Sequence, residues 1–113
     1  MDDILFRQES DRALEQLKQS LIRAEETFAD PLFEIEEKNG VLNILFEDGS
    51  AKFVFTPNTP VAQIWISAQS TSFKLAWDAE RAAFVLAKTG EDLRSLTERL
   101  LREQIANPGL ALT

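Results

Sequence analysis

From Leu32 onward the apolar residues change their spacing from three and four to two, and they keep the new period to about residue 87. No other feature restricts the fold as much, because a period of two belongs to strands with one buried face and a period near 3.6 to helices. Phe33 and Ile35 alternate with Glu34 and Glu36, and Asn39-Gly40 turns the chain. Leu42, Ile44 and Phe46 then alternate with Asn43 and Leu45 before a second tight turn at Asp48-Gly49. Phe53 and Phe55 mark a third strand, Thr56-Pro57-Asn58-Thr59-Pro60 reads as a loop, and residues 62–67 form a fourth strand around Trp65. Phe73, Leu75 and Trp77 alternate in a fifth strand, and residues 82–87 make a sixth after a turn at Asp78-Ala79-Glu80-Arg81. Such short turns require antiparallel pairing.

Helical spacing flanks this meander on both sides. Residues 4–28 predict an amphipathic helix carrying Phe6, Ala13, Leu14, Leu17, Leu21, Ala24 and Phe28 on one face, closed by Pro31. A second helix is expected from Thr89, whose hydroxyl can cap it while Asp92 completes a short capping box. Leu93, Leu96, Leu100, Leu101 and Ile105 form its stripe, and Asn107-Pro108-Gly109 stops it. The residues after that stop, Leu110-Ala111-Leu112-Thr113, are mostly apolar, and the two leucines are expected in the groove between the helices. Two terminal helices covering one face of the sheet give an α+β two-layer sandwich, one domain over residues 1–113 with an apolar tail at 107–113. A chain of this length buries about two thirds of its unfolded surface and folds without staples.

The chemistry open to the chain is narrow. It has neither cysteine nor histidine, which removes thiolate nucleophiles, imidazole bases, tetrahedral zinc sites, haem ligation by either residue and Cys-held iron–sulfur clusters. Oxygen ligands remain, and they suit hard cations. The first 50 residues hold 13 acids and 5 bases, whereas the other 63 hold 6 acids and 7 bases, so the net charge of −7 arises entirely in the first half. That field disfavours nucleic acid and anionic membranes and favours cations or a basic protein surface. No apolar run approaches the roughly 20 residues of a membrane span, and Met1-Asp2-Asp3 lacks a basic leader, so a cytoplasmic protein is expected.

The fourth strand assigns a large aromatic to the outer face. If Ile64 and Ile66 point inward, Gln63, Trp65 and Ser67 point away from the core together. An outward indole between a carboxamide and a hydroxyl suits a docking anchor. Burial of Trp65 under a neighbour on the same face is the alternative.

The helix, meander, helix order, together with Gly40-Val41-Leu42, Asp48-Gly49-Ser50, Pro60, Gln63-Ile64-Trp65-Ile66 and Thr89-Gly90-Glu91, resembles the frataxin family, including its bacterial iron-donor members. The resemblance covers essentially the whole chain, and the Gln-Ile-Trp strand after an Asp-Gly hairpin and a proline is its most specific part. It implies loose binding of ferrous or ferric iron by carboxylates, with no haem and no bound cluster. It also implies a role in iron–sulfur cluster assembly by docking on a cysteine desulfurase and its scaffold protein. The metal-binding ridge of such proteins maps onto Asp2, Asp3, Asp11, Glu15, Glu25, Glu26, Asp30, Glu34, Glu36 and Glu37, and the partner face onto Asn43, Gln63, Trp65 and Ser67. Lys18, Gln19 and Arg23 interrupt that ridge. The lead into the tryptophan strand keeps only its last proline, a glycine-containing turn becomes Ser70-Thr71-Ser72, and a common later tryptophan is Phe84.

Three functions fit these observations. A monomeric iron-binding regulator or donor, with iron-induced oligomers allowed, uses both ridge and face. A small acidic chaperone or adaptor without iron function uses an apolar groove and is usually a dimer. A weak ferroxidase needs a fixed carboxylate cluster, which an interrupted surface ridge does not offer, so a non-enzyme is expected. Hydrolase chemistry lacks a histidine base and a nucleophile elbow.

Overall fold

The computed structural model describes residues 1–113. Its elements run α1 (Asp3–Glu25), β1 (Phe33–Lys38), β2 (Val41–Phe46), β3 (Lys52–Asn58), a single 3-10 turn (Thr59–Val61), β4 (Gln63–Ala68), β5 (Thr71–Asp78), β6 (Ala83–Val85) and α2 (Leu93–Gln104). The six strands form one antiparallel sheet whose order in space is their order in the chain. Both helices cover one face of it. Phe6, Leu14, Leu17 and Leu21 of α1 and Leu96, Leu100 and Leu101 of α2 are buried in one cluster with Phe33, Ile44, Phe53, Phe55, Ile64, Ile66 and Leu75 of the sheet. The expected two-layer α+β sandwich is the observed one.

Phenylalanine dominates the joint between the layers. Edge-to-face contacts link Phe28 to Phe33, Phe33 to Phe46 and Phe46 to Phe53, the last with ring centroids 4.9 Å apart. Such pairs contribute about 0.5–1.5 kcal/mol each beyond burial. Phe84 lies between Phe6 and Trp77, with ring centroids at 5.8 and 5.1 Å.

Element ends differ from the sequence expectation in four places. The first helix starts at Asp3, with the Asp2 carboxylate accepting the Leu5 N–H at 2.7 Å, and stops at Glu25. Thr27 and Phe28 lie in a turn beyond it, where the Ala24 carbonyl accepts from both the N–H of Thr27 at 3.1 Å and its Oγ1 at 2.6 Å. Phe28 keeps the helical spacing because its ring rests on Phe33. Thr56-Pro57-Asn58 is the end of β3 rather than a loop. Pro57 is tolerated because β2 pairs with β3 only as far as Leu42 opposite Phe55, so the missing N–H faces a side where no strand continues. The cap of α2 is Asp92, which accepts the Ser95 N–H at 2.8 Å. Thr89 instead organises the preceding turn, accepting from the Glu91 N–H at 3.2 Å. Finally, β6 covers three residues only, and its outer side is partly closed by a bridge between Val85 and Asp92.

Two turns explain the sheet's register. Asn39 and Gly40 both have positive φ, as a two-residue hairpin loop of the twisted kind requires. Gln69 and Ser70 also do, without a glycine, because the pairing of Ala68 with Thr71 leaves two residues to reverse the chain. The turn therefore lies one to two residues before the expected Ser70-Thr71-Ser72.

The C-terminal tail lies where expected, across the groove between the helices. Leu110 and Leu112 are 5% and 1% exposed. Its polar backbone is met from both sides. Ser20 Oγ of α1 donates to the Thr113 carbonyl oxygen at 2.9 Å, and Arg23 donates to the same atom. From α2, Arg94 donates to the Leu112 carbonyl at 2.9 Å and Arg102 to that of Leu110 at 2.6 Å, while the Leu112 N–H donates to Glu98 at 3.1 Å. Glu98 is itself paired with Arg102 at 2.7 Å. Behind α2, the Arg99 guanidinium grips both oxygens of Glu91 at 2.8 and 3.0 Å, and this hydrogen bonding holds the Glu91 carboxyl below its usual pKa. It ties the turn before α2 to the helix.

Candidate functional site: an acidic edge beside a tryptophan face

The carboxylates of α1 fall into two groups. Asp2 and Asp3 lie at the helix N-terminus, where their charge favours the helix dipole. Glu25 is about 33 Å away at the other end, by the rise of a 23-residue helix. Between them Asp11 and Glu15 share an exposed stripe with Lys18, whose Nζ reaches Glu37 of β1 at 3.7 Å. That contact sets Lys18 against β1, so Asp11 and Glu25, which share its side of the helix, flank the β1 edge, whereas Glu15 also lines a concavity on the β5–β6 side. Glu37 points to the helix layer and is neutralised there, whereas Glu34 and Glu36 point to the open face, opposite Leu45 and Asn43. Glu15 is engaged by Gln19, whose Nε2 donates at 3.0 Å. No three carboxylates converge into a preformed cage for a metal ion. The arrangement offers an acidic field along an edge, with carboxylates available singly or in pairs.

The open face of the sheet carries the predicted partner residues. Ile64 and Ile66 are buried, so Gln63, Trp65 and Ser67 point outward as the alternation required. Asn43, Val54, Ser67 and Ser72 line up in one row across four strands, continuing Glu36 of β1. Asn43 is half-buried in that row. Trp65 is 37% exposed. Both readings of this residue hold in part, because the indole is held from two sides and yet open on a third. Its Nε1–H donates to Gln63 Oε1 at 2.8 Å, and Lys74 Nζ lies 4.7 Å from the ring centroid. A depression of about 190 Å³ lies beside it, lined by Val54, Thr56, Ser67 and Ser72. Lys74 escaped the sequence reading, although the alternation of Phe73 and Leu75 already placed it outward; its position opposite Trp65 follows only from the register. A larger concavity, about 750 Å³, is lined by residues of α1, the β5–β6 hairpin, the start of α2 and the tail end, with charges of both signs in Glu9, Arg12, Arg23, Asp92 and Arg94.

An indole fixed by its own strand is ready to dock without further ordering, which is where anchors gain affinity. Trp65→Ala should weaken partner binding by about 2 kcal/mol, near thirtyfold, while leaving the melting temperature within a few degrees. Calorimetric binding and thermal melts on the same variant check this. A large drop in melting temperature with normal binding would assign Trp65 to packing instead.

A two-layer sandwich with terminal helices on one face, an acidic α1–β1 edge and an outward tryptophan on the fourth strand defines a known class of small α+β proteins. The chain matches the frataxin-like domain over residues 1–107 and belongs to that family. Among its relatives are proteins named iron-sulfur cluster assembly protein CyaY. The one from Pseudomonas fluorescens is 31% identical over 84 residues, covering 73% of this chain and 76% of the relative. The one from Pseudomonas entomophila is 32% identical over 71 residues, covering 63% and 64%. A solved frataxin structure from Psychromonas ingrahamii superimposes with a TM-score of 0.71 over 99% of this chain and 96% of its own, at 14% identity, which supports the fold alone. No helix is long and apolar enough to cross a membrane.

Proposed function

We propose that this protein is a binding module of iron–sulfur cluster assembly, which carries or senses iron weakly and docks on a cysteine desulfurase and scaffold complex. The observation that carries the reading is the juxtaposition of an acidic α1–β1 edge with an outward, pre-positioned Trp65 on the adjoining sheet face. Relatives named for cluster assembly support the choice of process. Iron is cargo here. Oxygen donors in singles and pairs suit ferrous and ferric ions held at several overlapping positions, in competition with salt. Asp11, Glu15, Glu25, Glu26, Asp30, Glu34 and Glu36 are the residues assigned to it, with Lys18 neutralising Glu37 in the middle of the ridge. Asp2 and Asp3 form a separate, remote pair. Asn43, Gln63, Trp65 and Ser67 are assigned to the scaffold. A chemical step is not required by this reading, and the protein acts by binding.

The test uses the purified chain and a bacterial cysteine desulfurase. Binding by calorimetry should weaken progressively as salt is raised, and iron added to the labelled protein should broaden the amide signals of Asp11, Glu15, Glu25 and Glu34 in fast exchange. Salt-independent docking through the tail face, or tight one-to-one zinc binding at a defined site, would sink the proposal and favour an adaptor without iron function.

A further inference from the structure

The sheet has two edges, and they are treated differently. On one side β6 is only three residues long and its outer side is bridged to Asp92. On the other, β1 is six residues long and the strand order ends with it. Two hydrogen bonds set the phase of β1. Phe46 of β2 donates its N–H to Ala51, on the β3 side, and the next residue, Glu47, donates to Leu32, on the β1 side. Since backbone groups alternate sides along a strand, Glu34, Glu36 and Lys38 give theirs to β2. The N–H and C=O groups of Phe33, Ile35 and Glu37 therefore point out of the sheet; Phe33 is fully buried, which leaves those of half-buried Ile35 and exposed Glu37 as a template for one more strand.

The carboxylates decide which strand can use it. A second copy of this chain would bring its own Glu34 and Glu36 against these, and like charges on neighbouring strands repel. An extended segment with Lys or Arg at every second position would instead meet Glu34 and Glu36 on the open face, with Asp11, Glu15, Glu25 and Glu26 adding to the attraction from the helix layer. We propose that β1 is a docking edge that takes an extended basic segment of the partner as a seventh strand. This rests on the docking reading above and specifies its form: backbone hydrogen bonds at Ile35 and Glu37, with charge selecting the occupant.

The probe is a short peptide alternating lysine with valine, added to the isotopically labelled protein at low salt. Its binding should slow amide hydrogen exchange at Ile35 and Glu37, and a peptide with the same residues and all lysines in one block should bind more weakly. Glu37→Pro removes an outward N–H without touching the ladder to β2, and should weaken binding about tenfold, against about twofold for Glu37→Gln, which removes only charge. If Glu37→Pro does not fold, a peptide N-methylated on alternate residues carries the same test against the unaltered protein. Absence of binding at low salt, binding without protection of those two amides, or equal binding of the methylated peptide overturns the proposal. Loss of desulfurase binding on charge reversal of the ridge would still stand in that case, so failure of strand addition and failure of ridge docking are told apart.

Discussion

Ending the chain at Ala106 should lower the melting temperature by roughly 8 to 12 °C, from a net loss of about 2 kcal/mol. The gross loss is larger. Leu110 and Leu112 are buried, worth about 1.5 to 3 kcal/mol each, and three arginines and Ser20 hold the tail's carbonyls. Against this stands the conformational entropy regained when the tail is no longer ordered. The balance still favours the intact chain, because removal also uncovers the apolar floor of the groove and leaves Glu98 without the Leu112 N–H. Iron binding should not change, since none of the acids assigned to it touches the tail. If the shortened protein melts with the full-length one, the tail contributes nothing and its packing has been misjudged.

Reversing Glu25, Glu26 and Glu34 to Lys should reduce desulfurase binding below detection at physiological salt. The change moves the α1–β1 edge by six charge units in a region whose first 50 residues otherwise carry −8. The fold should barely respond, because Glu26 and Glu34 are exposed and lysines near the end of α1 favour its dipole. Unchanged affinity would move the interface elsewhere.

The architecture was legible because period and turns agreed along the whole chain. Phe33-Glu34-Ile35-Glu36 and Gln63-Ile64-Trp65-Ile66 each specify their inward residues, and Asn39-Gly40 leaves little choice of turn. Ends were less legible, since they depend on partners elsewhere. Pro57 reads as a breaker until it is seen where β2 runs out, and Thr89 reads as a cap until Asp92 is seen to reach Ser95. At the candidate site, the outward face of Trp65 could be read from alternation. Its support by Lys74 could not, because cross-strand register depends on the Gln69-Ser70 turn. Likewise Glu37 reads as one more acid of the ridge, and only the crossing of α1 over β1 pairs it with Lys18.

Strand order that follows chain order also bears on how the molecule assembles. Each of the five pairings closes a short loop, so the sheet can form hairpin by hairpin at small entropic cost. The contact between Ser20 and Thr113 closes a separation of 93 residues and can form only after both helices have docked. The tail then behaves as a late fastening. Its loss would shorten the lifetime of the folded state rather than slow the route to it, so a shortened chain folds at the parent's speed and opens sooner.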